Sequence, residues 1–207
     1  MSVMPMFPLG MVLLPGSVLP LHVFEPRYRQ MVRDCLERDE PEFGVVLIEQ
    51  GSEVGGGEVR RMVGTVARMV QVAEMPDGRY VVMAVGVARL RVTAWLPDDP
   101  YPLADVDLWP DDGDASPEAD AAVEALAARV RRVMALAVEL GDTVGDPQQE
   151  VDDDPWVAVH QLADMAPVGV TDRFDVLCAA NTDARIAMLA QRLDDVEALQ
   201  QMRLAEG

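Results

Sequence analysis

The fold is decided by residues 61–96, which read RMVGTVARMVQVAEMPDGRYVVMAVGVARLRVTAWL. Two valine-rich runs, residues 61–75 and 79–96, flank the tripeptide at residues 76–78. Its proline presets φ and its glycine accepts a positive φ, so the sequence predicts a long β-hairpin. Residues alternate in character between Val63 and Arg68, which indicates one exposed face and one buried face.

Shorter strands are predicted around this hairpin, at residues 3–7, 18–24, 43–49 and 101–109. Gly64 and Gly86 weaken a regular strand unless they mark bulges or sharp bends, as the corners of a small barrel require. The pattern therefore favours a small closed or half-closed β-barrel. Pro26 suits the first turn of a helix, so residues 26–38 are expected to form a helix that caps the barrel.

After about residue 110 the apolar residues recur at helical spacing, which predicts a helical bundle. Ser116 is expected to cap the first helix, and Gly141 follows the end of that helix. Residues 141–154 are polar and acidic, which indicates an exposed connection. Further helices are predicted at residues 154–163 and 171–180, and along a stripe formed by Ile186, Leu189, Leu193, Val196 and Leu199.

Composition and charge exclude several classes of protein. The chain has 207 residues, of which 50% are hydrophobic, and this is enough to build a core. The formal net charge is -19, with -1 on residues 1–95 and -18 on residues 96–207, which opposes binding to nucleic acid or to anionic membranes. All 17 basic residues are arginine, so the lysine of a nucleotide-binding P-loop or a Schiff base is absent.

The cysteines and the N-terminus indicate the compartment. Cys35 and Cys178 lie far apart, each within an apolar helical pattern, so both are expected to be reduced core residues. The apolar N-terminal stretch is interrupted by prolines and glycines and has no basic start, so neither a signal peptide nor a membrane span is expected. A cytoplasmic protein is therefore expected.

Few residues are arranged for catalysis or for binding a metal. The histidines and cysteines are not paired at ligand spacing, so no metal site is expected, and no cofactor either. The glycine-rich residues 51–58 carry two glutamates and no following lysine, which favours a flexible loop over a phosphate-binding loop. Cys35 with His22 is a formal nucleophile and base, and a small hydrolase that uses carboxylates or Cys35 in a barrel-mouth pocket stays an alternative.

Candidate binding residues concentrate in residues 19–29, where an aliphatic run meets aromatic, histidine and charged side chains. The N-terminal stretch is also rich in methionine, whose adaptable side chain suits loosely specified partners. An ordinary structural role for these residues stays open beside the binding hypothesis. The candidate surface consists of Met11, His22, Phe24, Glu25, Arg27, Tyr28 and Arg68.

Several motifs, in order along the chain, carry a resemblance to a known family. They are FPL at residues 7–9, LPG at 14–16, LPLHVFEPRY at 19–28, GTVAR at 64–68, DGRY at 77–80 and VGVARLRV at 85–92. Together they resemble the Lon substrate-binding domain, and DPYP at residues 99–102 resembles its stand-alone bacterial members. The helical C-terminal region fits as well, so the resemblance covers most of the chain.

The resemblance implies an α+β fold, with a PUA-like β-barrel over residues 1–110 and an acidic helical bundle over residues 111–207. In Lon proteases this domain helps to engage unfolded or tagged proteins, ahead of an ATPase module and a Ser/Lys peptidase module. Neither module is recognisable in this sequence, so the resemblance implies a non-catalytic module that binds unfolded or peptide-like protein segments. A separate protease is a further candidate partner. PUA-like barrels in other proteins bind RNA, which the net charge opposes.

Overall fold

The computed structural model of the chain describes residues 2–50 and 59–206. The predicted loop at residues 51–58 therefore lies outside the described residues. The chain divides into two compact units, Met1–Pro110 and Asp111–Gly207. The first unit contains β1 (Ser2–Leu9), β2 (Val18–Val23), α1 (Pro26–Leu36), β3 (Glu42–Gln50), β4 (Val59–Glu74), β5 (Tyr80–Leu96) and β6 (Leu103–Leu108). The second contains α2 (Ala119–Glu139), α3 (Pro155–Met165), α4 (Val170–Cys178) and α5 (Thr182–Glu206).

The six strands form one mixed sheet in the order β2-β5-β4-β3-β1-β6, which with the five helices confirms the α+β class. β1 and β3 are parallel, and the other described pairs are antiparallel. β6 pairs with β1 and also with β5, so the pairings run through β5, β4, β3, β1 and β6 and return to β5. Among the described residues, β2 pairs only with the first part of β5.

The predicted hairpin is confirmed as β4 and β5. Gly78 has a φ of 76°, which is the left-handed conformation that glycine adopts without strain. The Gly78 N–H donates to the Met75 carbonyl at 2.8 Å, and the Met75 N–H donates to the Arg79 carbonyl at 2.8 Å. The turn chemistry read from the sequence therefore sets the point at which the chain reverses.

Both strand glycines lie beside irregularities in the sheet. A Cβ on Gly64 would lie 2.1 Å from the Val45 carbonyl oxygen, so this glycine permits a close approach of two strands, and the register of β3 and β4 shifts directly beside it, between Val46 and Ile48. Gly86 lies beside the bulged residue Val87, where the register of β4 and β5 shifts, as the sequence predicts. A second bulge in the same pair is at Val70 in β4.

The larger of the core clusters described in the first unit lies between α1 and one face of the sheet. Tyr28, Met31, Val32 and Cys35 of α1 are buried against that face, whereas Leu36, which the apolar spacing places on the same side as the last three, is 46% exposed. Burial of side chains of this size stabilises the fold by roughly 1.5–3 kcal/mol each. The sheet contributes Leu19, Val23, Met69, Tyr80, Val82 and Ala84 to the same cluster. We call this side of β2, β5 and β4 the inner face.

The second unit consists of helices that pack against one another: α2 and α4 each pack against α3 and α5. Gly141 has a φ of 86° directly after the last turn of α2, as predicted. The expected cap at Ser116 is wrong, because α2 begins at Ala119 and the Ser116 hydroxyl donates to Asp183 at 2.8 Å. In the part of the chain that is described, no helix has the length and apolar character needed to cross a membrane.

A buried ion pair ties the start of the second unit to α5. Arg185 is fully buried, and its two terminal nitrogens donate to Asp111 at 2.5 and 2.7 Å. Asp111 also accepts hydrogen bonds from the Trp156 indole N–H at 3.2 Å and from the Thr182 hydroxyl at 3.2 Å. One carboxylate therefore joins three segments that are distant in sequence, and it neutralises a cation that has no access to water.

Candidate functional site

The side of β2, β5 and β4 that faces away from α1 is exposed and largely apolar. Side chains alternate between the two faces of a strand, so the residues between the core residues form this second surface. Each of its members is at least partly exposed. We call this surface the outer face, and it consists of Val18, Pro20, His22, Val81, Met83, Val85, Arg68, Gln71 and Ala73.

The register of the strands places these nine residues in three rows. Pro20, Met83 and Gln71 form the middle row, so Met83 lies at the centre of the outer face. The row towards the end of β2 contains His22, Val81 and Ala73. The opposite row contains Val18, Val85 and Arg68.

A small cleft lies at the end of β2. It has a volume of about 50 Å³, and its lining includes His22, Phe24, Met75 and Arg79. Phe24 is 55% exposed and Met75 is 41% exposed, although both side chains are large and apolar. Because His22 belongs to both surfaces, the cleft extends the outer face beyond the last residue of β2.

The guanidinium groups at the margin of this surface are already paired. The Arg68 Nε donates to Glu42 at 2.9 Å, and its Nη2 lies 3.3 Å from Glu40. The hydrogen bond to Glu42 raises the pKa of Arg68 above its usual value. The Arg79 Nε donates to Asp77 at 2.7 Å, and this bond lowers the pKa of the Asp77 carboxyl. Both arginines are therefore paired with neighbouring carboxylates.

The residues predicted as a binding surface separate into two groups. His22, Phe24 and Arg68 lie on the outer face or in its cleft, and Met11 is 43% exposed in the segment after β1. Tyr28, in contrast, is only 2% exposed, because its ring stacks on Phe7 at 4.1 Å.

Glu25 and Arg27 form a local pair beside α1. The Arg27 Nε donates to Glu25 at 3.1 Å, and its guanidinium lies 4.5 Å from the centre of the Tyr28 ring. These contacts match the structural role left open from the sequence. The structure thus brings together three of the seven candidates, His22, Phe24 and Arg68. Arg27 instead contacts Glu25 and Tyr28 at the start of α1.

The structure does not assemble Cys35 and His22 as a nucleophile and base. Cys35 is buried in the core beneath the inner face and donates to the Glu42 carbonyl at 3.4 Å, whereas His22 lies on the outer face. Burial raises the pKa of the Cys35 thiol to about 11, so the thiol is neutral near pH 7. Cys178 is only partly buried, in contrast to the expected core position.

We expect the Cys35 thiol to react with a disulfide reagent at pH 8 roughly a hundredfold more slowly than an unfolded thiol, because two pH units of pKa change the thiolate fraction by that factor. The raised pKa disfavours the thiolate in the folded state. The stability that the neutral Cys35 thiol contributes to the folded state is therefore complete below pH 9.0 and is lost as the pH rises towards about 11. The Cys178→Ser variant isolates this thiol, and Cys35→Ser gives the matched control. A Cys35 that reacts as fast when folded as in guanidinium contradicts the expectation.

Residues 3–195 match the family described as the ATP-dependent protease La (LON) substrate-binding domain. The chain belongs to this family. The Lon protease of Anaeromyxobacter dehalogenans is 31% identical over 98% of the chain. Lon protease 2 of Sorangium cellulosum is 30% identical over 92%. The chain spans 22% and 25% of these two relatives, so it matches one part of each.

Two solved Lon domains are similar to this one in structure. The crystal structure of a Lon N-terminal domain protein from Xanthomonas campestris matches 92% of the chain, and the chain covers 98% of it, with a TM-score of 0.66 and 27% identity. The N-terminal domain of the Mycobacterium avium complex Lon protease matches 94% of the chain, covered to 99%, with a TM-score of 0.66. At 14% identity, the second likeness concerns the fold alone.

Most of the outer face of this Lon domain is not evident from the sequence. The valine-rich pattern predicts only a strand for Val81, Met83 and Val85, although they form the central column of the surface. The signal that finds them is the alternation along β5, once Tyr80, Val82 and Ala84 are known to face the core. Among the described residues, no group of three His, Cys, Asp or Glu side chains is arranged to hold a metal ion.

Proposed function

We propose that the chain is a non-catalytic substrate-binding module of the Lon type, which holds unfolded or peptide-like protein segments on the outer face and in the Phe24 cleft. The observation that carries this proposal is that six of the nine outer-face residues are apolar and yet accessible to water. An exposed apolar surface of this kind is typical of an interaction site. Membership of a substrate-binding family supports the same function.

The chemistry of the outer face suits partners of varied sequence. Met83 at its centre and Met75 in the cleft have flexible, polarisable side chains that adapt to different apolar groups. Phe24 adds a large aromatic side chain, the kind of residue that contributes strongly at binding sites. Covering such side chains gains about 25 cal/mol for each Å² of apolar surface removed from water.

Three finer assignments belong to the same proposal. The closed circuit of strand pairings supports a PUA-like barrel as the scaffold of the residue 1–110 domain. The mutual packing of α2 to α5 supports a helical bundle in the residue 111–207 domain. We propose a cytoplasmic location and a separate protease as a further partner, because the relatives that contain this domain are Lon proteases.

The test is the binding of a reduced, alkylated model protein, followed by fluorescence anisotropy, with the same protein in its native fold as the comparison. We expect binding of the unfolded form alone, and we expect casein incubated with the chain to stay uncut. Equal binding of both forms contradicts the proposed selectivity. Absence of binding of either form at high micromolar concentration contradicts the proposal as a whole, and cleavage of casein contradicts its non-catalytic part.

Phe24→Ala is expected to weaken binding of the unfolded protein by roughly tenfold, because truncation of an aromatic contact residue commonly loses 1 to 2 kcal/mol. Leu108→Ala is the matched control, since Leu108 is 66% exposed and lies on β6, outside the outer face. Circular dichroism establishes that both variants keep the fold. Equal weakening by the two variants would show that binding follows exposed apolar area in general.

A further inference from the structure

We infer that the outer face binds apolar segments flanked by basic residues, and that it holds them by their side chains and not by adding a strand to the sheet. The inference rests on the proposed function and specifies both the class of segment and the mode of binding. Two observations carry it: the chemistry of the two sheet edges beside the outer face, and the charge of the unit that contains this face.

The first edge is β2. One backbone hydrogen bond and the strand register show which of its residues direct their backbone groups to β5 and which direct them outwards. The Gly86 N–H donates to the Ser17 carbonyl at 3.0 Å, and Val18 is the next residue in register, opposite Val85. Hydrogen-bonded and non-hydrogen-bonded positions alternate in an antiparallel pair. The backbone groups of Leu19, Leu21 and Val23 therefore point to β5, and those of the residues between them point outwards.

Pro20 occupies the middle of these outward positions. Proline has no N–H, so the outer edge of β2 lacks its central donor. The donors that are left, at Val18 and His22, are four residues apart, a separation of about 13 Å along a strand. A strand that paired with β2 would therefore form an interrupted ladder of hydrogen bonds, because regular pairing needs an N–H donor at every second residue.

The second edge belongs to the end of β4. In the described part of the chain, the ladder with β3 stops at Arg68 and the Met69 N–H donates to the Pro41 carbonyl at 2.9 Å, so β4 beyond Met69 pairs only with β5. Val70, which is 62% exposed, bulges out of this stretch. A proline and a bulge are the devices by which natural sheets prevent strands from adding at their edges. Both edges are blocked in this way, while the apolar face between them stays open.

Charge selects among apolar segments. The unit that contains the outer face, residues 1–110, has 10 arginines and 15 acidic residues, a formal net charge of -5 that attracts cationic partners and repels anionic ones. At the margin of the outer face, Arg68 and Arg79 are each held by carboxylates, and Glu40 next to Arg68 is 68% exposed at its side chain. A segment with apolar side chains and flanking lysines or arginines thus matches both the face and its surroundings.

The experiment uses the full chain and three labelled peptides with the same apolar core of leucine, phenylalanine and valine. The first peptide has lysine flanks, the second is identical but N-methylated at alternate core residues, and the third has glutamate flanks. N-methylation removes the amide protons that strand addition requires and leaves the side chains unchanged. Anisotropy at low and high salt gives the dissociation constants.

We expect the N-methylated peptide to bind within about threefold of the first, because the binding surface is made of side chains. We expect the glutamate-flanked peptide to bind at least about tenfold more weakly at low salt, with the difference shrinking at high salt. A loss of more than about tenfold on N-methylation establishes strand addition and overturns the mode of binding. Equal binding of the lysine-flanked and glutamate-flanked peptides overturns the proposed selectivity for basic flanks. If the lysine-flanked peptide itself fails to bind, the proposed function is what fails.

Met83→Glu locates the binding on the outer face. We expect this variant to lose binding of both the lysine-flanked peptide and its N-methylated form, because the substitution puts a charge at the centre of the apolar surface. Leu108→Glu, with the same chemical change outside the face, should keep both. Retention of binding by a folded Met83→Glu variant overturns the assignment to this surface.

Discussion

Gly64→Ala is expected to lower the free energy of unfolding by about 3 kcal/mol, because overpacking a well-ordered core forces the backbone to move. The added Cβ would lie 2.1 Å from the Val45 carbonyl oxygen and 2.7 Å from a methyl group of Val46. The nearest obstacle is backbone, which cannot rotate away as the end of a side chain does. Relief of the clash therefore requires β3 and β4 to separate at their paired residues.

Urea denaturation followed by circular dichroism measures this loss. Gly145→Ala is the matched control, since a Cβ at that position meets no atom within 4 Å. It should leave stability unchanged, or raise it by less than about 1 kcal/mol by restricting the unfolded chain. A Gly64→Ala variant as stable as Gly145→Ala would mean that the two strands are not held as closely as described.

Asp111→Ala is expected to destabilise the second unit by about 3–5 kcal/mol, because removal of one partner leaves a buried charge without compensation. The Arg185 guanidinium is fully buried and would lose both bonds to the carboxylate, while it keeps the hydrogen bond to the Ala179 carbonyl at 3.1 Å. Trp156 and Thr182 would lose an acceptor at the same time. The loss combines an unpaired cation with two unsatisfied donors.

Thermal or urea unfolding followed at the helical circular dichroism band gives the size of this effect. Asp112→Ala removes a carboxylate at the next position, where the residue is exposed, and should change the free energy of unfolding by less than about 0.5 kcal/mol. Asp111→Asn keeps two acceptor positions of similar shape and is expected to fall between the two. Equal stability of Asp111→Ala and Asp112→Ala would mean that the ion pair contributes nothing to the stability of the second unit.

Local patterns in the sequence are sufficient to predict the elements of the fold. The tripeptide at residues 76–78 defines the β4–β5 turn, and apolar spacing defines α1 and α2, because these signals depend on residues close in sequence. Ser116 shows the limit of such signals. It has the side chain of a cap, but a carboxylate 67 residues away, on Asp183, binds it instead.

The candidate site is less predictable, because it depends on pairing between distant strands. The sequence singles out His22, Phe24 and Arg68, but it does not show that Met83 lies between Pro20 and Gln71. That arrangement requires the register of three strands and the bulge at Val70, which shifts the residues of β4 that follow it. The burial of Tyr28 is hard to predict for the same reason, since it depends on stacking of this helical residue with Phe7 of β1.

The contacts of Asp111 also decide where the second unit can be separated from the rest of the chain. The first helix of that unit begins at Ala119, and the intervening residues have no regular structure. A recombinant fragment that begins at residue 112 or later would contain every helical residue of the second unit. It would nevertheless leave Arg185 buried without its counter-ion. The boundary for expression, isotope labelling or fusion is therefore set by a single carboxylate eight residues upstream of the first helical turn.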